Sequence, residues 1–170
     1  MDWIGINSSN ISSYCGHTTT YTLAGAINGT GRWLHYVDEV HWFILDLKKT
    51  YFITKVRGRS ADNYDPTNVD IYVSDNISVW GAAVATGIAS WVDITAWSDV
   101  NITPKKGRFV KAVVNTTEEA NRSLTWSKSS AAYMTIFDVY GEPVVESGTL
   151  QLPLGLGKKH AGKKTISKIL

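Results

Sequence analysis

The sequence is poor in cysteine and proline, and it has no long apolar run. Cys15 is the only cysteine among 170 residues, so no disulfide framework forms within the chain and zinc sites of the thiolate type are excluded. The longest apolar block, around Val40 to Leu47, contains His41 and Asp46 and falls far short of the roughly eighteen residues of a membrane span. No transmembrane segment is expected. The start, Met1-Asp2-Trp3-Ile4, lacks the basic leader and apolar stretch of a secretory signal. The four histidines, His17, His35, His41 and His160, show no metal-ligand spacing, and neither a G-x-S-x-G elbow nor a Gly-rich phosphate loop after a strand is present. Asp38-Glu39 and Glu118-Glu119 are adjacent pairs, whereas a glycosidase needs two carboxylates facing one bond at about 5 to 9 Å. No enzyme is expected.

What the chain does have is 44% hydrophobic and 19% charged residues, a balance that supports one domain with a sizeable core rather than global disorder. Seven Trp and eight Tyr exceed what such a core needs, which makes some of them candidates for a binding surface. The net charge of +2 hides a split. Residues 1–142 hold twelve Lys/Arg against fourteen Asp/Glu, and residues 143–170 hold five Lys against Glu146 alone. A nearly neutral body does not attract nucleic acid by its overall field, while Lys158, Lys159, Lys163, Lys164 and Lys168 suit a polyanion.

Seven of the nine Asn open an N-x-Ser/Thr triplet: Asn7, Asn10, Asn28, Asn76, Asn101, Asn115 and Asn121. The 32 Ser and Thr would give roughly two by chance, so the excess points to an outward-facing surface that tolerates glycosylation. A plainer reading is that Asn and Thr co-occur in the turns and edges of a β protein.

Strand signals dominate. His41 to Leu47 reads as a buried strand, and Val69, Ile71 and Val73 alternate with Asp70, Tyr72 and Ser74 at the period of two expected of a half-buried one. Phe52 to Val56, Trp91 to Ile94, Arg108 to Val114 and Tyr133 to Tyr140 are further β-branched or aromatic runs, separated by turn-rich stretches. The fold expected is all-β, an antiparallel jelly-roll-like sandwich. Residues 1–22 read as an N-terminal extension, 23–142 as the sandwich and 143–170 as a basic tail that binds a protein partner or neighbouring subunit. Leu150 to Leu156 alternates as an edge strand would.

Five strings then occur in one order: Ala26-Ile27-Asn28-Gly29 with Trp33; HWFILDL with KKTYFITKV over 41–56; VDIYVSD over 69–75 with Trp80-Gly81; GRFVK over 107–111; and IFDVYG over 136–141. Over about residues 23 to 142 the chain resembles the discoidin domain, the C-type domain of coagulation factors, and especially galactose-binding-like carbohydrate-binding modules. The resemblance implies a sandwich whose loops hold ligand at one end. It places candidate ligand residues in three segments that should be spatial neighbours: Arg59, Asn63, Tyr64 and Asp65 after the second strand; Trp126 and Lys128 before the last; and His35 beside Trp33 and Tyr36. Trp33, Trp42 and Trp80 match packing positions. Many relatives hold calcium near an Asp-Gly of the early loop, with a Glu before the final strand. Here Asn28 and Thr135 stand in those places, so Asn28 is only a weak calcium candidate and no cofactor is expected.

The chemistry of the candidates fits a sugar. A pyranose offers an apolar C–H face and a rim of hydroxyls, which call for a flat ring such as Trp126 and for hydrogen-bonding groups such as Arg59, Asn63, Asp65 and His35. The expected function is a non-catalytic glycan-binding module at an extracellular, cell or virion surface. The alternative is a virion surface, decoration or fibre-associated protein that uses the sandwich and tail for packing.

Overall fold

The computed structural model describes residues 1–17, 19–35, 39–60, 65–117, 132–134 and 136–145. The elements are β1 (Asp2–Trp3), a 3-10 turn (Ser8–Asn10), β2 (Ile11–Tyr14), α1 (Leu23–Ile27), β3 (Trp33–His35), β4 (His41–Ser60), β5 (Pro66–Ser74), β6 (Ala85–Ile88), β7 (Ile94–Thr117), β8 (Ala132–Met134) and β9 (Ile136–Pro143). One sheet runs in the order β1-β9-β4-β7-β5-β6 with β2 also on β4, and β3 pairs with β8 separately. The stretch Leu150 to Leu156 lies outside the described residues. Residues 1–22, read as an extension, supply β1 and β2 to the main sheet.

Two long strands, β4 and β7, make the sandwich out of this single ladder. They pair from His41↔Val114 to Asp46↔Phe109, shift register, and pair again from Tyr51↔Gly107 to Ser60↔Ile94. Phe43 lies on the first half, and its ring meets Phe137 of β9 with centroids 5.4 Å apart. Phe137 is opposite Gly58 on the second half. Position 43 therefore sits across the core from position 58, and the ladder folds back into two layers. The first layer holds β2, 41–47, 109–117, β5 and β6; the second holds β1, β9, 51–60 and 94–107. Period-2 alternation sends Phe43, Leu45, Val69, Ile71, Val73, Val110 and Ala112 from one layer, and Phe137 and Val139 from the other, into one core, joined by Ile53 and Val56 across the register shift between Ile53 and Lys55.

The expected strand Trp91 to Ile94 is mostly a turn: β7 begins at Ile94, Asp93 has φ 52°, and Trp91 is swallowed by the core at 1% exposure. Gly58 makes room for that ring, since a Cβ there would come within 2.8 Å of it.

The corner where the ladder folds is held by Asp46. Arg108 Nε and Nη2 donate to its two oxygens at 2.7 and 2.8 Å, and the Lys48 backbone N–H donates at 2.8 Å. Lys48 itself takes a left-handed φ of 66°. The Arg108 guanidinium holds the Asp46 carboxyl well below the usual carboxylate range. Its folded value lies under the unfolded one of about 3.9, so the stabilisation is complete above that pH and is lost as pH falls toward the folded value. In denaturant titrations from about pH 7 to about pH 2, the wild type is expected to lose stability more steeply than Asp46→Asn below about pH 4. Parallel curves would contradict this role.

Candidate functional site at the loop end of the sandwich

Because β4 folds back, its start at His41 and its end at Ser60 lie at the same end of the molecule. Thr117, where β7 ends, pairs with Pro66, where β5 starts; Ser60 pairs with Ile94, where β7 starts; Arg59 pairs with Ile136, where β9 starts; and His35 pairs with Ala132. The residues flanking 36–38, 61–64 and 118–131 therefore gather at this end. Asn63, Tyr64, Trp126 and Lys128 themselves lie outside the described residues, as do Thr135 and Asn121.

Arg59 is half-buried at this end. Its Nη1 donates to Thr95 O at 2.9 Å and its guanidinium stands 5.6 Å from the Trp97 ring centre. Among the described residues its buried Nε has no hydrogen-bond partner, and the same holds for Arg57 Nε and Thr117 Oγ1. On the same outer face, Arg57 is sandwiched between Trp3 and Trp97 at 3.9 and 4.1 Å, and its Nη2 donates to Asp138 at 2.9 Å.

Asp65 does not serve as expected. It is fully buried, its carboxylate accepting from Ser60 Oγ and from the Asp93 backbone N–H at 2.7 Å. The side chain clasps the ends of the 61–64 segment to the 91–93 turn, so its oxygens are turned inward rather than toward a ligand. His35 is also drawn inward, into a group with Cys15, Glu39 and His41. The cysteine count was read as excluding thiolate zinc sites and the histidines as lacking metal-ligand spacing, and neither reading anticipated a mixed group of one cysteine, two histidines and a glutamate. The pattern His-x3-Glu-x-His at 35–41 was the available signal, and Cys15 joins it only because β2 pairs with β4.

Within this group, Cys15 Sγ lies 3.5 Å from His35 Nδ1 and 3.7 Å from His41 Nδ1. The two Nδ1 atoms are 3.3 Å apart, and Glu39 Oε1 is 3.5 Å from His35 Nδ1. Burial pushes the Cys15 thiol pKa up, opposed by the Trp42 backbone N–H that donates to its sulfur at 3.4 Å.

A cleft of about 410 Å³ that shares the Trp97 ring has Asn7, Asn28, Phe137 and Asp138 in its wall. Its polar groups are already used. Asp138 Oδ1 accepts from the N–H groups of Gly5, Ile6 and Val139. Asn7 Oδ1 accepts from Ser9 N–H, and Asn28 Oδ1 accepts from Ser8 N–H at 2.8 Å while its amide donates to Ser8 Oγ. The oxygen of the weak calcium candidate is thus committed to tying the N-terminal segment to α1.

The tryptophans divide differently from the packing expectation. Trp33 is in the core at 0% exposure, but Trp42 and Trp80 are half-buried on the outer face of the first layer. There, with Tyr72, they surround Lys111 Nζ at 5.6 to 5.9 Å from the ring centres. Inward-facing Phe43 and Leu45 force Trp42 outward by strand alternation, and Lys111 gains cation–π contact. Among the sequons, Asn7, Asn28, Asn76 and Asn101 are exposed. Asn10 is buried, its amide donating to Asp46 O at 2.9 Å, and Asn115 donates to Asn68 and Asp70. Those last two amides serve the fold.

A family model described as F5/8 type C domain matches residues 7–131. No curated protein sequence matches the chain. Among solved structures, CBM32-3 from a family 31 glycoside hydrolase of Clostridium perfringens superposes with TM-score 0.66 at 12% identity, covering 81% of this chain and 94% of that one. Chitosan-binding module 1 of a chitosanase/glucanase from Paenibacillus sp. IK-5 gives TM-score 0.63 at 15% identity, covering 83% and 100%. The CBM32 of AlyQ in complex with 4,5-unsaturated mannuronic acid gives 0.57 at 12%, covering 75% and 92%. At these identities the likeness is one of fold.

Proposed function

The chain belongs to the F5/8 type C domain family, and from that premise we propose that it is a non-catalytic carbohydrate-binding module that takes its sugar at the loop end of the sandwich. The observation that carries this reading is the half-buried Arg59, its guanidinium 5.6 Å from the Trp97 ring centre, at the strand ends from which the 61–64 and 118–131 segments depart. Arginine supplies fork-shaped donors for adjacent hydroxyls, and a ring supplies a face for the C–H side of a pyranose. Asn63, Tyr64, Trp126 and Lys128 complete the proposed site from the flanking loops, with Trp126 as the principal stacking ring. The fold relatives named as carbohydrate- and chitosan-binding modules support the ligand class.

A glycan array followed by calorimetric titration tests the reading. The wild type is expected to bind a defined sugar class, and Arg59→Ala and Trp126→Ala each to weaken it at least about tenfold, the loss of about one charge-assisted hydrogen bond or one stacked ring. No binding by the wild type, or undiminished binding by both variants, sinks the site.

Display at an extracellular or particle surface is proposed on the strength of the four exposed sequons; among the described residues no helix is long and apolar enough to cross a membrane. We also propose that the basic tail docks on a neighbouring protein or subunit. Removing residues 150–170 is expected to abolish that association while the sandwich keeps its melting temperature; normal assembly of the truncated chain would overturn the idea.

A further inference from the structure

We propose that Cys15, His35, Glu39 and His41 form a binding site for a single zinc ion at the loop end of the sandwich. The donor atoms of these four side chains lie within 4.8 Å of one another, and the spacing of the cysteine and the two histidines fits three corners of a tetrahedral centre, with Glu39 near enough to supply the fourth. With metal–nitrogen bonds of about 2.05 Å and a metal–sulfur bond of about 2.3 Å, tetrahedral geometry puts nitrogen ligands about 3.3 Å apart and sulfur about 3.6 Å from nitrogen. The two Nδ1 atoms are 3.3 Å apart, and Sγ is 3.5 and 3.7 Å from them. Glu39 Oε1, at 3.5 Å from His35 Nδ1, stands at the distance of a fourth ligand.

The donor set selects the ion. One thiolate, two neutral imidazoles and one carboxylate suit zinc, whereas calcium and magnesium take oxygen ligands almost alone. Two ligand charges cancel the two of the ion, so the occupied site is neutral, which favours it where His41 is fully buried. Glu39 is 44% exposed and gives the ion a way in from solvent.

The surroundings hold the ligands in place. Trp42 N–H donates to Cys15 Sγ and Cys15 N–H donates to Trp42 O at 3.0 Å, fixing the sulfur against the start of β4. The carbonyl of Gly16 accepts from Trp33 Nε1 at 2.7 Å, and a Cβ at Gly16 would strike the His35 ring at 2.7 Å. Glycine at 16 thus lets the backbone pack on the imidazole. Trp33 itself stands edge-on to His41. An ion here would join the end of β2, β3 and the start of β4 at a point where no disulfide is available, and so brace the end that carries the proposed sugar site. The proposal is independent of whether sugar binds.

Cobalt(II) titration of the full-length, reduced chain tests it. One equivalent is expected to produce the visible bands of tetrahedral cobalt and a near-ultraviolet thiolate-to-cobalt band, both erased by one equivalent of zinc. Cys15→Ser is expected to lose the thiolate band and to weaken zinc binding at least about a hundredfold. Glu39→Gln, at a partly exposed position that leaves the fold intact, is expected to weaken it about tenfold. His17→Ala, whose ring stacks on Tyr14 outside the group, is expected to change nothing. Zinc is further expected to raise the melting temperature of the wild type and not that of Cys15→Ser. Absence of the tetrahedral bands at one equivalent, or bands that survive in Cys15→Ser, would overturn the site.

Discussion

Phe137→Ala is expected to destabilise the protein by about 3–5 kcal/mol, the usual cost of emptying a buried phenylalanine position. Phe137 is 1% exposed and meets Phe43 and Trp91 edge-on, with centroids 5.4 and 5.9 Å away. Phe43 belongs to the other layer, and Trp91 is pinned above Gly58 with its Nε1 donating to Ser98 O at 3.0 Å. Neither ring is free to close the void. Domains are usually stable by only about 5–15 kcal/mol, so the alanine variant is expected to populate unfolded states at room temperature. Phe137→Leu keeps most of the volume and is expected to cost about 1–2 kcal/mol, part of it the lost edge-to-face contacts. Urea unfolding checks both, and an alanine cost below about 1 kcal/mol would mean that the ring does not bridge the layers.

Removing the Arg57 side chain is the second large effect, expected at about 2–3 kcal/mol for Arg57→Ala. The guanidinium fills the space between two indole rings and completes the Asp138 carboxylate, whose side chain is 6% exposed. Breaking one partner of a buried pair costs more than the pair is worth, because a charge is left behind. Three backbone donors still hold Asp138 Oδ1, so the cost falls at the low end of the range for buried pairs. Arg57→Lys is expected to recover less than half of it, since an ammonium cannot lie flat between two indoles. In a double-mutant cycle with Asp138→Asn, a coupling of about 1 kcal/mol or more is expected. Strict additivity would show that the ion pair contributes nothing.

Both effects concern features that the sequence discloses unevenly. The alternation of Val69, Ile71 and Val73 is legible because one face of β5 is fully buried, and all three are at 0% exposure. The order of strings from Ala26 to Gly141 pointed to the sandwich through its resemblance to the discoidin domain. The alternation also contains the answer for Trp42. If Phe43 and Leu45 face inward, Trp42 faces out, whereas the family resemblance placed it at a packing position. Trp3 and Trp97 were invisible as a pair, because their meeting depends on β1 and β7 flanking Arg57 on one face. Asp65 looked like a loop acid available to ligand, yet it is buried by the turn whose amide it accepts. The Cys15 group is assembled by strand pairing across twenty residues or more, which spacing rules for single helices or knuckles do not reach.

The most direct test of the central claim is to find where the sugar lands. Backbone amide shifts of isotopically labelled protein, followed as the array-selected glycan is titrated in, are expected to move most at Arg59, Thr95, Trp97 and the residues flanking 61–64 and 118–131, and to lose that response in Arg59→Ala. Shifts gathered instead around Trp42, Tyr72, Trp80 and Lys111, or none with any glycan of the panel, would contradict a carbohydrate site at the loop end of the sandwich.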